Sequence, residues 1–191
     1  MRNFLKIADG INVMPLLLEL QRQPELWNQH RLRKDAEGTP HNEMDDIWLR
    51  YNDFATVAAD PAKVNDEHTS VWYPGYYALP ALRPIIFGLM AEVQGEQLGG
   101  VLITRIPPGC KIAEHVDAGW HVEFYEKFYL SLMSRPGANF YSEGETICPR
   151  PGDIYWFDNR RPHRVENHSE EDRITLIMCI RAHRFGSRVT A

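Results

Sequence analysis

Residues 128–157 read FYLSLMSRPGANFYSEGETICPRPGDIYWF. Three turn signals cut this stretch: Arg135-Pro136-Gly137, Ser142-Glu143-Gly144 and Arg150-Pro151-Gly152. Between them lie runs too short for helices and rich in apolar and aromatic residues, Phe128–Met133, Asn139–Tyr141 and Asp153–Phe157. Such runs with such punctuation predict strands. The pattern extends outward in both directions. Upstream, Gly99-Gly100 leads into Val101-Leu102-Ile103, which stops at Pro107-Pro108-Gly109. Downstream, Ile174 to Ile180 is a further strand-like run. Residues from about 97 to 182 therefore predict a mainly β unit of the sandwich or jelly-roll kind.

The first 96 residues have a different texture, a mixture of helical and irregular signals around that core. Met14, Leu17, Leu18 and Leu20 predict a short amphipathic helix after Asn12, a possible cap, ended by Pro24. A strand is expected near His30–Arg33, followed by a turn at Glu37-Gly38-Thr39-Pro40. Ile47, Leu49 and Tyr51 alternate with Trp48 and Arg50 and predict a strand. Asp60 to Ser70 is polar and reads as a loop. Ile86, Leu89, Met90 and Val93 put a helix over Leu82–Val93, packed outside a sheet. At 191 residues the expectation is a single domain, 1–96 elaborating a core at 97–183.

Bulk properties narrow the function. The formal net charge of −5 argues against a sequence-independent grip on nucleic acid. Cys110, Cys148 and Cys179 are too few and too scattered for a disulfide framework and form no Cys-x-x-Cys pair, so reduced thiols in the cytoplasm are expected. No apolar stretch approaches the roughly 20 residues of a membrane-spanning helix.

The densest chemistry begins at Glu114-His115-Val116-Asp117. In an extended segment, residues two apart point the same way, so His115 and Asp117 can aim an imidazole and a carboxylate at one point. His163, before another strand-like run, is the natural third ligand. Two histidines and one carboxylate leave three positions open on an octahedral iron. Arg173 follows His163 by ten residues and opens Arg173-Ile174-Thr175-Leu176-Ile177-Met178-Cys179-Ile180. Alternation sets Arg173 and Thr175 on one face, with Ile174, Leu176 and Met178 on the other. A guanidinium turned into a barrel needs a partner, and a dicarboxylate ligand would supply it. The competing expectation is an edge arginine paired with Glu171 or Asp172.

This arrangement resembles the 2-oxoglutarate- and Fe(II)-dependent dioxygenases. More narrowly, Gly100 to His183 resembles the aspartyl/asparaginyl β-hydroxylase-like group of the cupin superfamily. The matching residues are Ile106-Pro107-Pro108-Gly109, His115, Lys127 to Leu132, Pro151-Gly152, Trp156-Phe157-Asp158-Asn159, His163, and Arg173 to Ile180. The resemblance implies a double-stranded β-helix core. It also implies Fe(II) on His115, Asp117 and His163, with 2-oxoglutarate on Arg173 and Thr175. The reaction implied is hydroxylation of an amino-acid-like or protein side chain with release of succinate and CO2. Asp117 fills the position that vertebrate members of the group lack and that halogenating relatives leave to chloride, which favours hydroxylation. Where the group often has an arginine and a histidine that help hold the cosubstrate, this chain has Lys127 and Tyr129, on one strand face.

Trp120 and His121, just past the metal motif, are candidates for covering the site and touching substrate, as is Trp156 near His163. Asp158 is a candidate acceptor for a ligating imidazole or the cap of a turn. His30, Arg31, Trp48 and Arg50, with Trp72, Tyr73, Tyr76 and Tyr77, offer a pocket for an amino-acid-like substrate or else core packing. Two other functions fit the fold. A cupin enzyme with another metal would have no use for Arg173, and a non-catalytic metal- or small-molecule-binding module would turn nothing over.

Overall fold

Two antiparallel sheets form the protein, and the strands that carry the metal motif lie where the sheets meet. The computed structural model describes residues 3–53, 55 and 70–182. The expected loop at 60–69 and the end of the expected core at His183 lie outside the described residues. The strands are β1 (Phe4–Ala8), β2 (Asp45–Tyr51), β3 (Val71–Trp72), β4 (Gln97–Ile106), β5 (Lys111–His115) and β6 (Glu126–Met133), then β7 (Ala138–Ser142), β8 (Glu145–Ile147), β9 (Ile154–Phe157), β10 (His163–Asn167) and β11 (Arg173–Arg181). The larger sheet runs β1-β9-β6-β11-β4-β2-β3 and the smaller β5-β10-β7-β8. This is the jelly-roll core that the turn signals predict, with N-terminal strands extending the larger sheet at both edges.

Parity along the strands sorts residues between two cores. On β11, Ile174, Leu176, Met178 and Ile180 face outward, against a layer that includes Leu16, Leu20, Leu82, Ile86 and Leu89. Those five come from helices Met14–Arg22 and Leu82–Glu92, whose buried positions recur at helical spacing. The N-cap position is Val13 rather than the expected Asn12, whose side chain instead accepts the Met14 N–H at 3.2 Å across two residues. Between the sheets, Phe4, Leu102, Tyr129, Phe140, Phe157, Val165 and Ile177 form the second core. Phe4 meets Phe140 edge to face at 4.9 Å and stacks on Phe157 at 6.3 Å.

The strand expected near His30–Arg33 is instead a turn leading into a short helix, Leu32–Asp35. Arg31 forks onto Asp35 at 2.7 Å through two nitrogens, an i,i+4 pair that closes a helical turn. The segment has no β-branched residue to favour extension.

The Pro151-Gly152 turn shows why glycine is required there. Gly152 has φ +89°, and a Cβ at that position would stand 2.7 Å from the Ile11 carbonyl oxygen. Gly152→Ala is expected to lose roughly 1–3 kcal/mol from backbone strain before any clash is counted. A thermal melt checks this, and an unchanged Tm would contradict it.

Candidate metal centre

Strands β5 and β10 run antiparallel with His163 opposite His115, so the two imidazoles meet with ring centroids 4.3 Å apart. Asp117 lies two residues beyond β5, where its backbone N–H donates to the Asn159 carbonyl at 3.1 Å. One ligand atom each from His115, Asp117 and His163 lies within 4.8 Å of the others. Backbone carbonyls aim the rings. His115 Nδ1 is 2.8 Å from the Ala113 oxygen, and His163 Nδ1 is 2.8 Å from the Arg161 oxygen. With each Nδ1–H donated to its carbonyl, each Nε2 lone pair is free for a cation. Asp158 takes the turn role: it accepts from Arg160 Nε at 2.8 Å and from the Arg160 backbone.

Burial pushes the His163 imidazole down to about 4, against the pull of Asp117, so it is neutral near pH 7. Burial alone would raise the Asp117 carboxyl, but Lys127, His115 and His163 together hold it well below the usual carboxylate range. Two imidazoles and one carboxylate on one side of a cation suit Fe(II) with open positions. Lys127 donates from Nζ to Asp117 Oδ2 at 2.5 Å.

Deeper between the sheets, Arg173 and Thr175 point inward from β11. Arg173 is 3% exposed and Thr175 1%. Among the described residues, Arg173 Nε and Thr175 Oγ1 have no hydrogen-bond partner. The edge-pair alternative does not hold, since Glu171 bonds Arg135 at 3.0 Å and Asp172 approaches Arg105 at 3.9 Å. Burial lowers the Arg173 pKa, and the nearby Tyr129 opposes that shift. The Phe140 ring centroid is 5.9 Å from the Arg173 guanidinium carbon and 6.0 Å from the His163 ring. Orphaned donors this deep, behind a three-ligand cluster, fit the distal carboxylate of 2-oxoglutarate.

A cavity of about 570 Å³ opens over His115 and Asp117. One wall is Leu32 to His41, the other Ala118 to Tyr125, and Trp48, Tyr51, Leu102 and Ile177 line it between them. His121 and Trp48 line this cavity; Trp120 does not, and stacks on Phe124 at 4.5 Å. Trp156 lies elsewhere. It is 1% exposed, packs in the outer core against the helices, and donates to Glu126 at 2.6 Å. Its neighbour Phe157 holds the inward position, 5.2 Å from the His163 ring. His30 stacks on Trp48 at 5.3 Å, behind the cavity. Arg31 is spent on Asp35, Arg50 lies over Trp72, and Tyr76 stacks on Trp72. Sequence reasoning passed over Arg33 and His41. The His41 ring is 4.9 Å from that of His115, and burial pushes its pKa down to about 2. His41 sits in irregular backbone and Arg33 in a four-residue helix, too short for periodicity to carry a signal.

Fold and site together define a jelly-roll oxygenase of the Fe(II) and 2-oxoglutarate class. A sequence model described as aspartyl/asparaginyl beta-hydroxylase matches residues 77–182, and the chain belongs to that family. Solved structures share the fold at low identity. A prolyl hydroxylase from Trichoplax adhaerens, in complex with a hypoxia inducible factor oxygen degradation domain peptide fragment, superposes with a TM-score of 0.61 at 13% identity, over 99% of this chain and 88% of that one. A Pseudomonas putida prolyl-4-hydroxylase gives 0.53 at 14%, over 95% and 94%. A 2OG-Fe(II) oxygenase family oxidoreductase from Burkholderia pseudomallei gives 0.52 at 13%, over 72% of this chain and 66%, just under two thirds, of that one. No curated protein sequence matches the chain. Among the described residues no helix is long and apolar enough to cross a membrane.

Proposed function

We propose that the protein hydroxylates a C–H bond of an amino-acid-like or peptide side-chain substrate, consuming 2-oxoglutarate and releasing succinate and CO2. The observation that carries this reading is the orphaned, buried Arg173–Thr175 pair behind the three converging ligand atoms. A metal-only cupin would have no reason to bury a guanidinium with its Nε unsatisfied there. His115, Asp117 and His163 would hold Fe(II). Arg173 and Thr175 would hold the far carboxylate of the oxo-acid, with Tyr129 beside them. Iron, when bound, supplies dioxygen activation coupled to oxidative decarboxylation of that acid.

The substrate would enter the cavity between the Leu32–His41 and Ala118–Tyr125 walls. Trp48 and Tyr51 offer it aromatic surface, and His41 and His121 offer ring nitrogens. Arg33 offers a guanidinium, although Asp46 already holds one of its nitrogens at 3.2 Å. The Trichoplax neighbour's peptide supports a peptide side chain as one form of this substrate.

The test is succinate formation from 2-oxoglutarate by the purified protein with Fe(II), alone and with capped peptides and free amino acids. Iron-dependent succinate that N-oxalylglycine suppresses in competition with 2-oxoglutarate is the expected result. Succinate no higher with iron than without it, across the whole panel, would defeat the proposal.

A further inference from the structure

Lys127, for which the resemblance implies a cosubstrate contact, lies against Asp117. It sits on β6 opposite Cys179 of β11, pointing between the sheets. Its Nζ lies 2.5 Å from Asp117 Oδ2, and Asn159 Nδ2 reaches the same oxygen at 2.9 Å. Asp117 Oδ1 is left facing His115 Nε2 at 3.4 Å, on the side where the ligand atoms converge. The lysine and aspartate side chains are only 16% and 18% exposed.

We infer that Lys127 is a positioning residue with two duties, as resident counter-cation for Asp117 when no metal is bound and as a clamp that offers a metal one carboxylate oxygen only. The first duty follows from charge. A largely buried carboxylate needs a cation, and the ammonium supplies it. The site then stays folded before iron arrives, unlike one whose metal is its only neutralising charge. The second follows from lone pairs. Two donors occupy Oδ2, so Oδ1 alone is free to bind. A one-oxygen carboxylate keeps three positions open on the metal, as the proposed reaction requires. The clamp rests on the reading of Asp117 as a ligand; the counter-charge does not.

A double-variant cycle tests both. Thermal melts in EDTA would compare wild type, Lys127→Met, Asp117→Asn, the Lys127→Met/Asp117→Asn pair, and Lys127→Arg. Lys127→Met strands a buried anion and is expected to melt roughly 10 °C lower. The double variant, with neither charge, and Lys127→Arg should both recover most of that loss. If the losses of the two single variants simply add in the double one, the counter-charge is refuted. Should Lys127→Met not fold, the double variant must still do so, and its failure would equally refute it. Mn(II) should raise the Tm of Lys127→Met more than that of wild type, because the ion replaces the lost charge. Equal upward shifts in both proteins would count against the inference. A coupled cycle in which Mn(II) shifts neither protein would uphold the counter-charge and count instead against the metal site proposed above. Co(II) reads the clamp. Its visible absorption should change in Lys127→Met, as the carboxylate becomes free to bind through both oxygens, and return in Lys127→Arg. An unchanged spectrum in Lys127→Met would overturn the clamp.

Discussion

His163→Ala is expected to cut Fe(II)-dependent turnover by at least about 10³-fold. A bound metal supplies several kcal/mol of transition-state stabilisation, and each 1.4 kcal/mol is tenfold in rate. The three ligand atoms converge within 4.8 Å, so no one of them is peripheral. Alanine at 163 removes an imidazole that is 3% exposed and already oriented by the Arg161 carbonyl. Nearby, Asp158 is taken by Arg160 and Arg161, and His41 faces His115, so neither stands ready as a replacement ligand. Asp117→Ala should lose a similar factor but behave differently without metal, because it leaves the Lys127 ammonium buried and unpaired. The two variants should therefore match in succinate formation and differ in metal-free Tm, with Asp117→Ala the lower. A His163→Ala protein that keeps a tenth of wild-type turnover would show that the metal is held elsewhere.

The parts of this site that could be read from the chain are those governed by a short period. His115 and Asp117 stand two apart, as do Arg173 and Thr175, and strand parity sends each pair to one side. Glycine-bearing turns separate β6, β7, β8 and β9, and apolar spacing marks the helix Leu82–Glu92. The errors arise where period does not decide. Trp156 and Phe157 are neighbours of similar character, and only pairing can say which faces inward. Trp156 lies opposite Phe128 and Phe157 opposite Lys127, which settles the matter. Parity sends Lys127 inward but does not say what it meets, because its partner Asp117 lies beyond the end of another strand. β1 is the short run Phe4-Leu5-Lys6-Ile7-Ala8, apolar but for Lys6 and without alternation, and its partner β9 is some 150 residues away, so no local turn announces the pairing. His41 comes up against the His115 ring from a loop, where neither period applies.

Arg173→Met is expected to impair the enzyme and stabilise the protein at once. In the proposed complex the guanidinium is the main partner of a carboxylate in a water-poor interior. Removing one member of such a pair costs about 2–5 kcal/mol, or roughly 30- to 3000-fold. The loss should fall on the KM for 2-oxoglutarate, with the Fe(II) requirement unchanged, because Arg173 does not belong to the ligand cluster. Thr175→Val should shift the same constant less, since it removes a neutral hydroxyl. Without cosubstrate the balance reverses. Arg173 Nε is buried with no acceptor among the described residues, and an unsatisfied buried donor costs about 1–3 kcal/mol, more when it carries charge. Methionine fills similar space with no polar atom to satisfy, so the metal-free Tm should rise on the order of 5 °C. Wild type should gain more thermal stability than the variant from 2-oxoglutarate with Mn(II), because only wild type then satisfies the arginine. A destabilised Arg173→Met with an unaltered KM would mean that the guanidinium serves the fold, and the oxo-acid site would have to be sought elsewhere.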